Sequence, residues 1–155
     1  MRYSIDTSAL LDGWGRYYPP DVFPGLWRRL EGLISDGHLR ASEEVRVELE
    51  RKADDVFEWA RDQDGFFVSI DARIQPAVSS ILAAFQKLVD TRANRSAGDP
   101  FVIALAQTEK CTVVTGERAT GQLDRPNIPD VCQVLGIPCI GLLQLIRNEG
   151  WSFGA

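Results

Sequence analysis

The chain is poor in sulfur and in histidine: 155 residues include three cysteines, one methionine and one histidine. Cys111, Cys132 and Cys139 contain no closely spaced metal-binding pair, and their odd number gives no disulfide framework. They read as packing residues, and a reducing cytoplasm is the simplest compartment. His38, between Gly37 and Leu39 near a predicted strand edge, reads as a structural or surface residue rather than a general base. No apolar run approaches the ~20 residues that cross a bilayer, so no membrane partner is expected. The amino terminus lacks the basic-then-apolar layout of a signal peptide, and Asp6 and Asp12 interrupt it. Internal repeats and low-complexity tracts are missing as well. Lysine is scarce: three of the 17 basic residues, the other 14 being arginine. A net charge of −5 makes the chain a poor general nucleic-acid binder. Arginine is nevertheless the better fork for phosphate, so a local basic patch stays open.

What is present is an ordinary globular composition, 45% hydrophobic and 25% charged, at a length that fits one domain over residues 1–155. Residues 3–5 suit a strand that ends on Asp6, and Ala9, Leu10 and Leu11 begin an apolar turn. Residues 12–21, with Gly13, Gly15 and Pro19-Pro20, read as a loop. That loop is aromatic and carries Arg16, which suits either a substrate rim or ordinary packing. Apolar residues at helical spacing predict a helix over 22–34, with Pro24 in its first turn and Gly37 after its end. A short strand over 39–41 leads to Ser42, an N-cap, with Glu43 and Glu44 in the first turn. Val45, Leu49, Ala53, Val56 and Ala60 then predict one helix, or two nearly continuous ones, to about Arg61.

Residues 66–70 read as a strand, and Asp71 caps a helix with its stripe at Ile74, Ala77, Val78, Ile81, Leu82, Phe85 and Leu88. After a polar stretch over 91–98, Asp99 opens a helix with Pro100 in its first position. Residues 101–106 are apolar on every side, as in a central helix. A strand over 111–115, a polar loop over 117–126, a helix from Asn127 to Leu135, a strand over 137–140 and a helix over 142–148 complete the order. Short strands alternating with longer helices predict a three-layer α/β domain with a mainly parallel sheet and more helix than strand.

Four acids share one context. Asp6 follows the first strand, Glu48 lies on the helix after the second, Asp99 opens the apolar helix, and Glu117 lies just past the strand over 111–115. In a parallel α/β sheet, strand ends and the following helix starts lie on one side of the molecule, where ligands bind. Carboxylates gathered there cannot all stay ionised without a cation. A hard divalent ion, Mg²⁺ or Mn²⁺, is the economical reason to gather them. Each acid also has a plain structural reading: Asp6 and Asp99 as helix caps, Glu48 as a solvated helix face, Glu117 as loop surface.

Five stretches carry a family resemblance: Tyr3-Ser4-Ile5-Asp6-Thr7-Ser8-Ala9-Leu10, Ala41-Ser42-Glu43-Glu44-Val45-Arg46-Val47-Glu48-Leu49, Asp99-Pro100-Phe101-Val102-Ile103-Ala104-Leu105-Ala106, Val113-Val114-Thr115-Gly116-Glu117, and Ile128-Pro129-Asp130-Val131-Cys132. With them the chain resembles PIN-domain proteins, the fold of many VapC-like toxin ribonucleases, and in particular the PIN-like branch catalogued as a domain of unknown function, DUF4411. The resemblance covers nearly the whole chain. It implies metal ligands at Asp6, Glu48 and Asp99, with Glu44 the rival to Glu48 on the same helix face. Glu117 stands where the family usually has a fourth acid, often an aspartate, and is one methylene longer. Thr7 or Ser8 would orient a ligand or water, Thr115 ends the strand beside them, and Asp130 either supports the site or completes a cap with Asn127.

The activity so implied is Mg²⁺- or Mn²⁺-dependent cleavage of single-stranded RNA by the toxin of a toxin–antitoxin pair. Asp6, Glu48, Asp99 and Glu117 form the expected catalytic set, and Arg16, Arg92, Arg95 and Arg118 are expected to grip the RNA backbone. A cognate antitoxin and a homodimer are the expected partners. The helices over 22–34 and 45–60 offer surfaces for them, with Trp27 or Trp59 at a dimer contact. Two alternatives stand beside this reading: a DNA-directed nuclease with the same chemistry, and a non-catalytic PIN-like binding module. The four tryptophans lie too far apart in sequence to announce a base-stacking platform.

Overall fold

The computed structural model describes residues 1–89 and 98–154. Its centre is β1 (Tyr3–Ile5), with β2 (Leu39–Ser42) on one side and β4 (Thr112–Val114) on the other. The edges are β3 (Phe67–Val68) and β5 (Cys139–Ile140), giving the order β3-β2-β1-β4-β5, parallel throughout. Tyr3 pairs with Leu39 and with Thr112, and Ile5 with Val114. Ile5, Leu39, Ala41, Val113 and Val114 are fully buried. A parallel sheet covered on both faces needs such unbroken apolar strands.

The helices are α1 (Thr7–Asp12), α2 (Pro24–Ser35), α3 (Glu43–Lys52), α4 (Asp54–Arg61), α5 (Gln75–Ala84), α6 (Asp99–Glu109), α7 (Ile128–Leu135) and α8 (Leu142–Asn148). With the sheet they form the expected three layers, α/β/α. As its sequence predicts, α6 is central: it packs on β1, β2 and β4, and α5 packs on α6. The Ser4 hydroxyl donates to the Val102 carbonyl at 2.9 Å, a buried tie between β1 and α6. That tie fixes the start of α6 relative to the end of β1, where the two aspartates sit. Among the described residues no helix is long and apolar enough to cross a membrane.

Several boundaries differ from expectation for local reasons. Residues 13–17 are not loop but a π-helical turn, Gly13–Tyr17, that continues α1. Gly13 permits it, since a Cβ there would meet Leu142 Cδ2 at 2.9 Å. The second helix begins at Pro24 rather than at residue 22, with Val22 exposed. The apolar stripe from Val45 to Ala60, by contrast, takes the second of its two expected forms: two nearly continuous helices, parted by the extended backbone of Ala53. The strand predicted over 66–70 shrinks to Phe67–Val68 at the sheet edge. Asp71 caps a turn, accepting from the Arg73 and Ile74 N–H groups, and α5 starts only at Gln75. Phe85 leaves the helix, Leu88 belongs to a separate short turn, Gln86–Leu88, and Leu82 faces solvent.

The tryptophans also depart from expectation. Trp14 and Trp27 meet with ring centroids 4.8 Å apart, and Trp27 and Trp59 with centroids 4.9 Å apart. Trp27 is buried, so it is core and not a dimer contact. Trp59 is half-buried and donates its indole N–H to Glu31 at 3.0 Å. Residues 13 and 32 positions apart in sequence thus form one cluster, which linear spacing hides.

Candidate functional site

Asp6 leaves β1 and caps α1. Its Oδ1 accepts the Ala9 N–H at 2.8 Å, and its Oδ2 accepts the Ser8 hydroxyl at 2.8 Å and the Thr115 hydroxyl at 2.5 Å. The cap reading of Asp6 is therefore correct, but it uses only part of a carboxylate that two further hydroxyls hold in place. Only 2% of Asp6 is exposed. Burial raises its pKa to about 7; the bonds from Thr115, Ala9 and Ser8 oppose that rise, and the charge of Glu117 adds to it.

Asp99 is the first residue of α6, and Gly98 occupies the cap position without a side-chain bond. The plain capping role thus does not fall to Asp99. Its carboxyl stands well above the ordinary carboxylate range. Burial is the largest cause, followed by the charges of Glu117 and Asp6, a hydrogen bond with Glu117, and the charge of Glu48. One group reports three acidic neighbours from three other segments. On α3, Glu48 is buried, with Lys52 Nζ 4.0 Å from its Oε2, whereas Glu44 is only half-buried in the first turn. Of the two, Glu48 is the more buried, and its charge contributes to the raised Asp99 carboxyl.

The turn after β4 completes this cluster. Thr115 Oγ1 accepts the Glu117 N–H at 3.0 Å, and Ser8 Oγ accepts the Gly116 N–H at 2.9 Å. The Ser8 and Thr115 hydroxyls lie 3.3 Å apart. Thr7 is buried at the first position of α1. Gly116 is crowded: a Cβ there would lie 2.7 Å from Asp12 Oδ2 and 3.2 Å from Ser8 Oγ. Asp12 is a site neighbour that the sequence reading passed over. Its four-residue spacing from Ser8 on one helix was the available signal.

Asp130 does something else. Its carboxylate accepts N–H groups of Thr120, Gly121 and Asn127 at 2.9, 2.9 and 2.8 Å, and the Thr120 hydroxyl at 3.1 Å. Burial raises its pKa, but these bonds outweigh burial and bring it below the ordinary value. It forms the capping box with Asn127 and gathers the loop before α7. Arg118 lines a cavity beside the acid cluster, and Arg16 is exposed on the π-helical turn, its Cζ 5.9 Å from the Tyr17 ring centroid. Arg92 and Arg95 lie outside the described residues.

Among the described residues, no three or more Asp, Glu, His or Cys side chains stand so that they could hold a metal ion. Carboxylates around one cation position are the expectation from sequence, and in this structure the same groups are engaged with other partners. Asp6 is tied to Ser8, Thr115 and the Ala9 N–H, while Asp99 is hydrogen-bonded to Glu117. The donors still fit a hard divalent ion in kind. They are oxygens, and a cation would relieve the mutual repulsion that, after burial, raises the Asp99 carboxyl.

The cavity, about 670 Å³, opens at the carboxyl ends of β4 and β5 and shares Thr115 and Glu117 with the cluster. That is where open α/β sheets bind ligands. From residue 3 to residue 153 the sequence matches the model of a domain of unknown function, DUF4411. The chain belongs to this family. No curated protein matches the sequence significantly. The DUF4411 chain resembles the crystal structure of VapBC2 from Rickettsia felis bound to a DNA fragment from their promoter. The TM-score is 0.56 at 15% identity, over 91% of this chain and 98% of that one. At this identity the likeness concerns the fold, the VapC-like PIN arrangement of a parallel sheet between helical layers.

Proposed function

We propose that this DUF4411 chain is a divalent-metal-dependent endoribonuclease of the PIN type, cleaving single-stranded RNA as the toxin of a toxin–antitoxin pair. The observation that carries this reading is the convergence of Asp6, Glu48 and Glu117 on Asp99, whose carboxyl is raised above its ordinary range by burial first and by their charges next. The likeness to a VapBC2 structure adds weight to the toxin and antitoxin part.

Asp6, Glu48 and Asp99 would hold Mg²⁺ or Mn²⁺, with Glu117 as the further acid of the set. When bound, such an ion lowers the pKa of water and offsets the charge growing on a phosphate under attack. Ser8 and Thr115 keep the Asp6 carboxylate oriented. Arg118 beside the cavity, Arg16 on the turn, and Arg92 and Arg95 hold the RNA backbone against the repulsion of the acids. The chain acts as one domain over 1–155, in the cytoplasm, as a homodimer silenced by its antitoxin.

The deciding experiment incubates the protein with labelled single-stranded RNA and DNA in Mn²⁺, Mg²⁺ or EDTA, beside Asp6→Asn and Asp99→Asn. Metal-dependent RNA cleavage that both variants lose is expected. Cleavage of DNA alone reassigns the substrate. Absence of cleavage together with absence of Mn²⁺ binding by calorimetry overturns the nuclease reading in favour of a binding module. Light scattering tests the dimer.

A further inference from the structure

We propose that the cavity beside the acid cluster is a nucleobase pocket. In it Tyr17 stacks on one unstacked base of the strand whose phosphate lies at Asp6 and Asp99. This rests on the nuclease reading and adds to it a site that selects unpaired nucleotides.

The cavity has a mixed lining. Asp12, Thr115, Glu117 and Arg118 are its polar members; Tyr17, Tyr18 and Leu142 are aromatic or apolar. At about 670 Å³ it falls within the range of sites that enclose small organic groups. With Asp12 and Glu117 set against the single cation of Arg118, the lining does not favour an anion, and the phosphate is assigned to the acid cluster, where a bound cation would offset the repulsion. A base is flat, uncharged and polar at its edges, and suits a space lined by both aromatic and hydrogen-bonding side chains. Because the cavity and the cluster share Thr115 and Glu117, a base and its own phosphate can occupy them together.

Tyr17 presents the stacking face. It is 56% exposed, a large aromatic surface left to water, with the Arg16 guanidinium 5.9 Å from its ring centroid. An aromatic ring with an arginine beside it is the usual platform for unpaired bases. Its position is built in, not incidental. The π-helical turn that carries it continues the helix capped by Asp6, and the absence of a Cβ at Gly13 seats that turn against Leu142 and Trp27. Paired strands hide their base faces, so the pocket favours single strands.

The test uses a short labelled single-stranded RNA in Ca²⁺, with an abasic position moved along it, and reads affinity by fluorescence anisotropy. One abasic register should weaken binding by roughly 5- to 100-fold, the usual range for one base–aromatic stack. Tyr17→Ala should weaken the intact RNA to the same extent and abolish the register dependence, and Tyr17→Trp should retain both. Cleavage of the intact RNA in Mn²⁺ is measured in parallel. Cleavage with no register dependence, or with Tyr17→Ala binding like wild type, overturns the pocket and leaves the nuclease standing. An oligomeric state that changes in Tyr17→Ala while RNA affinity does not would assign the cavity to a second copy and overturn it as well. Neither binding nor cleavage by the wild type removes both readings.

Discussion

The Thr115 hydroxyl donates to Asp6 Oδ2 across 2.5 Å, joining the ends of two neighbouring parallel strands at the point where both chains turn away from the sheet. The same hydroxyl accepts the Glu117 N–H, so one side chain orients two of the four clustered acids. Thr115→Val keeps the shape and removes the donor. Asp6 then loses its strongest support for the ionised form, and Mn²⁺ affinity by calorimetry is expected to fall about 10- to 100-fold, as for other lost outer-sphere partners. Thr115→Ser should recover most of it. Equal affinity in Thr115→Val and wild type would remove this role.

The raised carboxyls make a signed prediction about pH. A folded-state pKa above the unfolded one favours folding at low pH, fully below about pH 4. That contribution is lost as pH rises, through about 7 for Asp6. Asp99→Asn is neutral at every pH and relieves the cluster of one acid. In EDTA at about pH 8 its Tm should exceed that of wild type by about 2–8 °C, the shift for ~1–2 kcal/mol in a chain of this size. Near pH 4 the difference should vanish. A constant difference across pH, by scanning calorimetry, would count against the repulsive cluster.

Metal binding at Asp6 and Asp99 would displace protons from their raised carboxyls. Mn²⁺ titrated into the protein near pH 7 is expected to release protons, and calorimetry in buffers of different ionisation heat reads their number. Binding without proton release would place the ion away from Asp6 and Asp99.

Gly116→Ala tests the crowding around Ser8 and Asp12. The new Cβ meets Asp12 Oδ2 at 2.7 Å and the Ser8 carbonyl at 3.2 Å. A stability loss of about 1–3 kcal/mol is expected from overpacking, with RNA cleavage reduced more than stability alone explains. Urea denaturation and the cleavage assay separate the two.

Asp130→Ala should loosen the loop before α7 without touching the acid cluster. Three backbone N–H groups lose their acceptor, a cost of about 1–3 kcal/mol. Limited proteolysis should cut between Arg118 and Arg125 in the variant first. Because the Asp130 pKa is depressed, its contribution to wild-type stability is present above about pH 4 and disappears as pH falls below that.

Much of the architecture was readable because it rests on local chemistry. Asn127, Asp130 and Gly136 mark both ends of α7, and the unbroken apolar run after Asp99 marks the central helix. Three of the clustered acids were legible as strand-end or helix-start residues, since a parallel sheet brings such positions together. What escaped was what depends on contacts between distant segments. Nothing in the run Gly13-Trp14-Gly15 reveals a π-helical turn seated on Leu142, and in α3 only the leucine that follows Glu48 favours it over Glu44. The hydrogen bond between Asp99 and Glu117 is likewise a product of packing, and spacing along the chain carries no trace of it.

The meeting of Trp14, Trp27 and Trp59 gives the molecule an optical reporter of its own. Trp14 belongs to the same π-helical turn as Tyr17, and its ring centroid lies 6.0 Å from that of Trp59 on α4. Indoles this close exchange excitation, so small changes in their separation alter the emission and the near-ultraviolet dichroism. Any group that enters beside Tyr17 and shifts the turn therefore changes the light the protein emits, and ligand entry can be followed in real time without a dye.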